Sequence, residues 1–302
     1  MAAATLAAML TRRALLWTGL AAVSLTGCTV SEPRVSGSPQ PVPTPDPQAL
    51  AASAIETELA ALCHAAGSEW APAGAAYTAR AWALSGPEPL ARRGLTHSPA
   101  PSTPTTDRTL AGALRAAAES GRGRALEHGG LLRLLYASAA AFSAGALSAL
   151  PAAPSVALRD RRQPDPPQVS AEQALADVVR QLHALIAVLQ PAIPVATSEA
   201  AQVLRPALSA ARQLRDDLTL ALVEAGAEAP AAAPAYTLPE LRTPDQARQA
   251  GADGAAALLP WVGRWVMTAE DPSEAIAGLA QWSAISTTLG GALPVWPGYP
   301  PS

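Results

Sequence analysis

Between Ser170 and Pro191 the apolar residues fall at Leu175, Val178, Val179, Leu182, Leu185, Ile186 and Leu189. Steps of three and four lay one continuous stripe along a helix. Ser170 with Gln173 forms a capping-box signature at its start, and Pro191 stops it. The same period recurs from Glu199 to Ala225, through Val203, Leu204, Ala207, Leu208, Ala211, Leu214, Leu218 and Leu222. Pro206 is expected to kink that helix near its start, and Gly226 to end it. Thr243-Pro244-Asp245-Gln246 opens a helix over 244–268 that Pro260 should bend, and Asp271-Pro272-Ser273-Glu274 opens one over 272–289, closed by Gly290-Gly291.

The first half repeats this grammar on a more alanine-rich background. Asp46-Pro47 starts a helix running to Ala66, with Asp as cap and Pro in the first turn. Further helices are predicted over 72–84, 107–120 and 124–150. Gly121-Arg122-Gly123 interrupts the last two, and Leu131, Leu132, Leu134, Leu135 and Phe142 mark the fourth. Pro-rich breaks lie at 86–104 and at 151–169. Period-two alternation is almost absent, so strands are not expected. The fold class that follows is all-α: tandem four-helix bundles over 47–150 and 170–302, joined by the linker 151–169. The 275 residues after position 27 exceed the usual size of one core, which fits two units. Abundant alanine on the inward faces lets helix axes approach to about 8 Å.

Ahead of the helices, residues 28–46 are rich in Ser, Pro, Gly and Gln, with proline at every second position from Pro39 to Pro47. Such a stretch is a disordered, extended spacer of about 3 Å per residue. Residues 1–27 hold two Arg and no acid, then a short apolar core, the order of a cleavable signal. Arg12-Arg13, with Thr11 before and Leu15-Leu16 after, resembles a twin-arginine export signal. Leu25-Thr26-Gly27-Cys28 resembles the lipobox of bacterial lipoproteins, which implies cleavage before Cys28 and acylation of that residue. The run from Ala14 to Leu25 is too short for the roughly 20 residues of a spanning helix. Two or more acyl chains, at about 0.8 kcal/mol per buried methylene, make such attachment stable. The expected location is therefore the outer face of the cytoplasmic membrane, held by a lipid anchor at Cys28.

Composition narrows the function classes. All 21 basic residues are Arg, in keeping with a GC-rich genome. Without residues 1–27 the chain has 19 Arg against 24 acids, a net charge of −5. No basic stripe is available for phosphates, so a nucleic-acid partner is not expected. Cys28 and Cys63 are the only cysteines; with the first acylated, Cys63 has no disulfide partner and reads as a buried, inert thiol.

Three segments of the second half carry a family resemblance: Pro234-Ala235-Tyr236-Thr237-Leu238-Pro239, the helix pair 244–268 and 272–289, and Gly291 to Pro300 with its Trp296-Pro297-Gly298 turn. Over Ser170–Pro301 the chain resembles an actinobacterial family of ferritin-like domains of unknown function. Residues 47–150 resemble a more diverged copy. The resemblance implies a four-helix ferritin-like shape and raises the question of a di-iron centre. Such a centre takes Glu from two helices and a Glu-x-x-His pair from each of two others. No Glu here has His three residues later; Glu127 and His128 are adjacent and so directed to different sides, and Glu56, Glu58 and His64 lack the spacing. No metal or cofactor is expected.

The remaining candidates favour packing or solvation. Trp261 and Trp265 stand four apart, with Trp282, Trp296 and Tyr299 beyond; in a chain with one Phe they fit a core better than a ligand platform. Asp216-Asp217 near Arg212 and Arg215 fits a solvated helix face with i,i+4 pairs. His183 sits at the edge of its stripe, and Arg159, Arg161 and Arg162 fit a solubilising linker. No phosphate loop, nucleophile elbow or catalytic carboxylate pair emerges. The expectation is a non-enzymatic, lipid-anchored binding or scaffolding module with an unknown protein or small-molecule partner. The alternative is a metal- or redox-cofactor protein.

Overall fold

At four of the predicted helix starts, the side chain that the sequence offers as a cap accepts a backbone donor. Asp46 accepts from the Gln48 amide, Ser170 from Gln173, Thr197 from Ala200, and Thr243 from Gln246. Thr243 and Gln246 form a full capping box, whereas Gln173 turns its amide to Asp177 rather than back to Ser170. The computed structural model describes residues 46–86, 89, 103–104, 108–158 and 169–300. Among them are eight α-helices: α1 (Pro47–Ala66), α2 (Ala71–Leu84), α3 (Leu110–Glu127), α4 (Gly130–Ala149), α5 (Ala171–Ala192), α6 (Ser198–Glu224), α7 (Pro244–Thr268) and α8 (Ser273–Thr288). The fold is all-α, a helical bundle. Two-residue strands β1 (Val156–Ala157) and β2 (Leu293–Pro294) add one short parallel ladder that the sequence pattern does not announce.

Two glycines end helices as expected. Gly226 (φ 74°) and Gly290 (φ 82°) take the left-handed conformation after α6 and α8. The following amides reach back five residues, Ala227 to the Leu222 carbonyl and Gly291 to that of Ser286.

Gly121-Arg122-Gly123, in contrast, does not break a helix. It lies inside α3, and the break falls at His128-Gly129 instead. The reason is tertiary. A Cβ on Gly121 would stand 3.0 Å from the Ala140 nitrogen and 3.1 Å from its Cβ, so Gly121 is where α3 and α4 cross closely. Gly123 meets nothing within 4 Å. The pair therefore predicts opposite outcomes. Gly121→Leu forces α3 from α4 and lowers stability by about 1–3 kcal/mol. Gly123→Ala raises it by about 0.5–1 kcal/mol through helix propensity. Thermal unfolding of the two variants checks this.

Helix α4 sits at the centre. It packs against α3 on one side and against α8 and α7 on the other. Ser148 donates to the Ala284 carbonyl of α8, and Arg133 donates to the Val266 and Ala269 carbonyls at the end of α7. A guanidinium there satisfies carbonyls that the helix leaves unpaired. The two sets of four helices consequently share one core, in which buried side chains run without a gap from Ala52 to Tyr299. Among the described residues α4 is the one helix long and apolar enough to cross a membrane, but 67% of that window is buried against its neighbours. It is a core helix of the bundle.

Candidate functional site

Helices α1 and α2 each bury a charge. The α1 stripe is Ala49, Ala52, Ser53, Glu56, Leu59, Ala60 and Cys63; that of α2 includes Ala73, Ala76, Tyr77, Arg80, Ala83 and Leu84. The helical period thus turns Glu56 and Arg80 inward, and they meet with Arg80 Nη2 at 2.8 Å from Glu56 Oε1. Arg80 is fully buried and Glu56 nearly so.

Three rings enclose the guanidinium. Its carbon lies 4.7 Å from the Phe142 centroid, 5.5 Å from that of Tyr77 and 5.6 Å from that of Trp296. Tyr77 and Phe142 meet edge to face at 5.0 Å, and Trp296 meets Tyr299 at 6.0 Å. The Tyr77 hydroxyl reaches Ser143 Oγ at 3.4 Å. Helices α1, α2 and α4 and the C-terminal segment each contribute to this one cluster.

Hydrogen bonding within it is incomplete. Among the described residues, Glu56 Oε2 and Arg80 Nε and Nη1 have no hydrogen-bond partner. Burial raises the Glu56 carboxyl above its ordinary value, outweighing the lowering effect of Arg80. Burial, with the Glu56 charge adding to it, pushes the Cys63 thiol up to about 12. A thiol so placed is not a nucleophile at neutral pH. Cys63 is accordingly expected to resist alkylation by iodoacetamide in the native protein and to react fully once the chain is unfolded in denaturant; mass spectrometry reads the difference.

The residues singled out from sequence have separate fates. Arg12, Arg13, Leu25, Thr26, Gly27 and Cys28 lie outside the described residues, as do Arg159, Arg161 and Arg162. Trp265, Trp282, Trp296 and Tyr299 are buried, in keeping with packing. Trp261 is half-buried, with Arg264 over its ring at 5.0 Å. His183 is half-buried, and burial with the nearby Arg215 lowers its pKa. Around Asp216 the ion pair is with the adjacent Arg215, at 2.6 Å, rather than at i,i+4 spacing. Glu127 and His128 do not part company. The helix ends between them, so both reach Gln48, whose amide donates to Glu127 Oε2 at 3.1 Å while its carbonyl accepts from His128 Nε2 at 2.7 Å. Among the described residues no group of three or more His, Cys, Asp or Glu could hold a metal ion.

Asp177 lies on the inward stripe of α5. It is buried and accepts from Gln173, Arg180 and Arg264, which ties α5 to α7. A cleft of about 300 Å³ opens between α6 and α8, walled by Val203, Pro206, Ala207, Ala284 and Ile285, with Gln202, Gln281 and Thr288 also lining it.

No family model matches this chain, and no curated protein matches it. Among solved structures, a conserved hypothetical protein from Mycobacterium tuberculosis is similar at 24% identity. The match spans 39% of this chain and 94% of that one, with a TM-score of 0.38.

Proposed function

We propose that this chain is a lipid-anchored cell-envelope protein whose ferritin-like helical body acts as a non-enzymatic binding or scaffolding module. The observation that carries the reading is Leu25-Thr26-Gly27-Cys28 behind the Arg12-Arg13 pair and its apolar run. Seventeen residues then separate Cys28 from Asp46, where α1 is capped. As an extended spacer they reach about 50 Å, enough to hold the body clear of headgroups. The membrane is one partner, through Cys28; the other is a protein or an apolar small molecule. The open flank between α6 and α8 offers such a partner a surface. The buried Glu56–Arg80 pair, closed off by its rings, reads as architecture and not as a reaction centre.

Fractionation of the native host tests the anchor. Wild-type protein is expected in the membrane fraction and the Cys28→Ala variant in the soluble or secreted fraction. A variant retained on membranes at the wild-type level contradicts the reading. Repeated affinity capture from envelope extracts that returns no partner, with no bound small molecule on native mass spectrometry, counts against the binding role.

The twin-arginine pair favours a second reading, because that route exports chains already folded, often around a cofactor. A metal- or redox-cofactor protein would carry stoichiometric iron, manganese or haem after purification from its native host. Elemental analysis separates the two.

A further inference from the structure

We propose that the α1–α2 hairpin is a releasable arm, latched to the rest of the bundle by Trp296 of the C-terminal segment packed on Arg80. This inference is independent of the lipid anchor. The hairpin is a unit in itself: Ser53 of α1 donates to the Ala81 carbonyl of α2 at 2.7 Å, and the Glu56–Arg80 pair also lies wholly within it. Alongside the large apolar groups Leu59, Leu62, Tyr77 and Leu84, it buries many alanine methyls, from Ala49, Ala52, Ala60, Ala61, Ala73 and Ala76 among others. Each such methyl contributes far less than the roughly 1.5–3 kcal/mol of a buried Leu or Phe.

The seam toward α3 is open. A cleft of about 430 Å³, lined by Pro47, Gln48 and Ala51 on α1 and by Ser120, Gly123 and Arg124 on α3, runs along it. The contacts from Gln48 to Glu127 and His128 at its end are exposed. Among the described residues the aromatic cluster also joins arm to body, where Tyr77 meets Phe142 and Arg80 meets Trp296.

The segment that carries Trp296 is anchored on the body at both sides of that residue. Leu293 donates to the Ser155 carbonyl at 2.8 Å, and Gly298 packs directly on the α7 backbone at Gly263 and against Leu134 and Leu279. The latch therefore belongs to the body and the catch to the arm.

The closed state also carries a penalty of its own. Glu56 Oε2 and two guanidinium nitrogens of Arg80 are buried without hydrogen-bond partners among the described residues, and release returns all three to water. An alanine-rich buried face, an open seam and unsatisfied buried polar atoms are features of a part that opens early.

Hydrogen exchange on the full mature chain, read by mass spectrometry, tests this. Amides of α1–α2 are expected to exchange at least tenfold faster than those of α5 and α7. Trp296→Ala should raise exchange in α1–α2 by a further tenfold or more and change α5 and α7 by less than twofold. Trp296→Phe, which keeps a ring and disturbs folding less, should give a smaller rise in the same peptides. Glu56→Gln, which leaves Trp296 untouched, should give a rise confined to the arm. Equal protection of α1–α2 and α5–α7 in the wild type overturns the proposal, and so does acceleration spread evenly over the whole chain in the Trp296 variants.

Discussion

Replacing Arg80 by Met lowers stability by about 3–5 kcal/mol, because it strands a buried carboxylate. The pair is short, at 2.8 Å, and both side chains are almost wholly shut off from water. Its two charges satisfy each other only in part, since Glu56 Oε2 and two Arg80 nitrogens have no hydrogen-bond partner among the described residues. Removing both charges together is therefore expected to recover most of the loss. The double replacement Glu56→Leu with Arg80→Met should lie within about 1–2 kcal/mol of the wild type or above it. Denaturant unfolding of the wild type, both single variants and the double variant measures the coupling. Additive losses would show that the pair is not the source of the effect.

The same carboxyl gives a pH signature. Its folded-state pKa lies above the ordinary 4.5, so the folded chain holds that proton more tightly than the unfolded chain. Its contribution to stability is fully present below about 4.5 and is lost as pH rises through the elevated folded-state value. Glu56→Gln cannot titrate, so the difference in stability between it and the wild type should change with pH across that window. A constant difference would contradict the raised carboxyl.

Gly263→Ala is expected to cost about 3 kcal/mol, at the upper end for overpacking. A methyl at this position of α7 would overlap the Gly298 carbonyl, which is backbone and cannot swing aside. Either the segment after Gly290 lifts from α7 or the helix moves. Gly298 is itself fixed, at φ 89° and against Leu134 and Leu279. Near-ultraviolet circular dichroism should report altered packing of Trp296 and Tyr299, alongside the drop in melting temperature. Gly278→Ala, where the nearest atom is Val262 Cγ1 at 3.9 Å, serves as the control and should be neutral or mildly stabilising. Wild-type stability for Gly263→Ala would mean that the segment is not seated on α7.

Helices were readable in this chain because stripe and punctuation agree. Residues Leu175 to Leu189 keep one face, Ser170 and Thr243 supply caps, and Gly226 and Gly290 supply stops. The α3–α4 boundary was not, because a Gly-Arg-Gly run signals a break locally while Gly121 serves a crossing that only the tertiary structure creates. Glu127 and His128 met for a similar reason: adjacent residues diverge within a helix, and here the helix ends between them.

The Arg80–Glu56 cluster did leave a trace in the sequence. Each charge falls on its helix's apolar period, Glu56 with Ala49, Ala52, Leu59 and Cys63, and Arg80 with Ala73, Ala76, Tyr77 and Leu84. An inward charge on each of two consecutive helices is a recognisable sign of a buried pair. Alanine weakened the stripes enough to hide it. The shared core had no such sign, because α4 reads as the last helix of its own bundle until α8 is placed beside it.

Intact-mass analysis of the protein extracted from native membranes bears most directly on the account as a whole. The predicted species begins at Cys28 and exceeds the mass of residues 28–302 by two or three acyl chains with their glycerol. A chain that retains Met1, or one that begins elsewhere and carries no lipid, would contradict it.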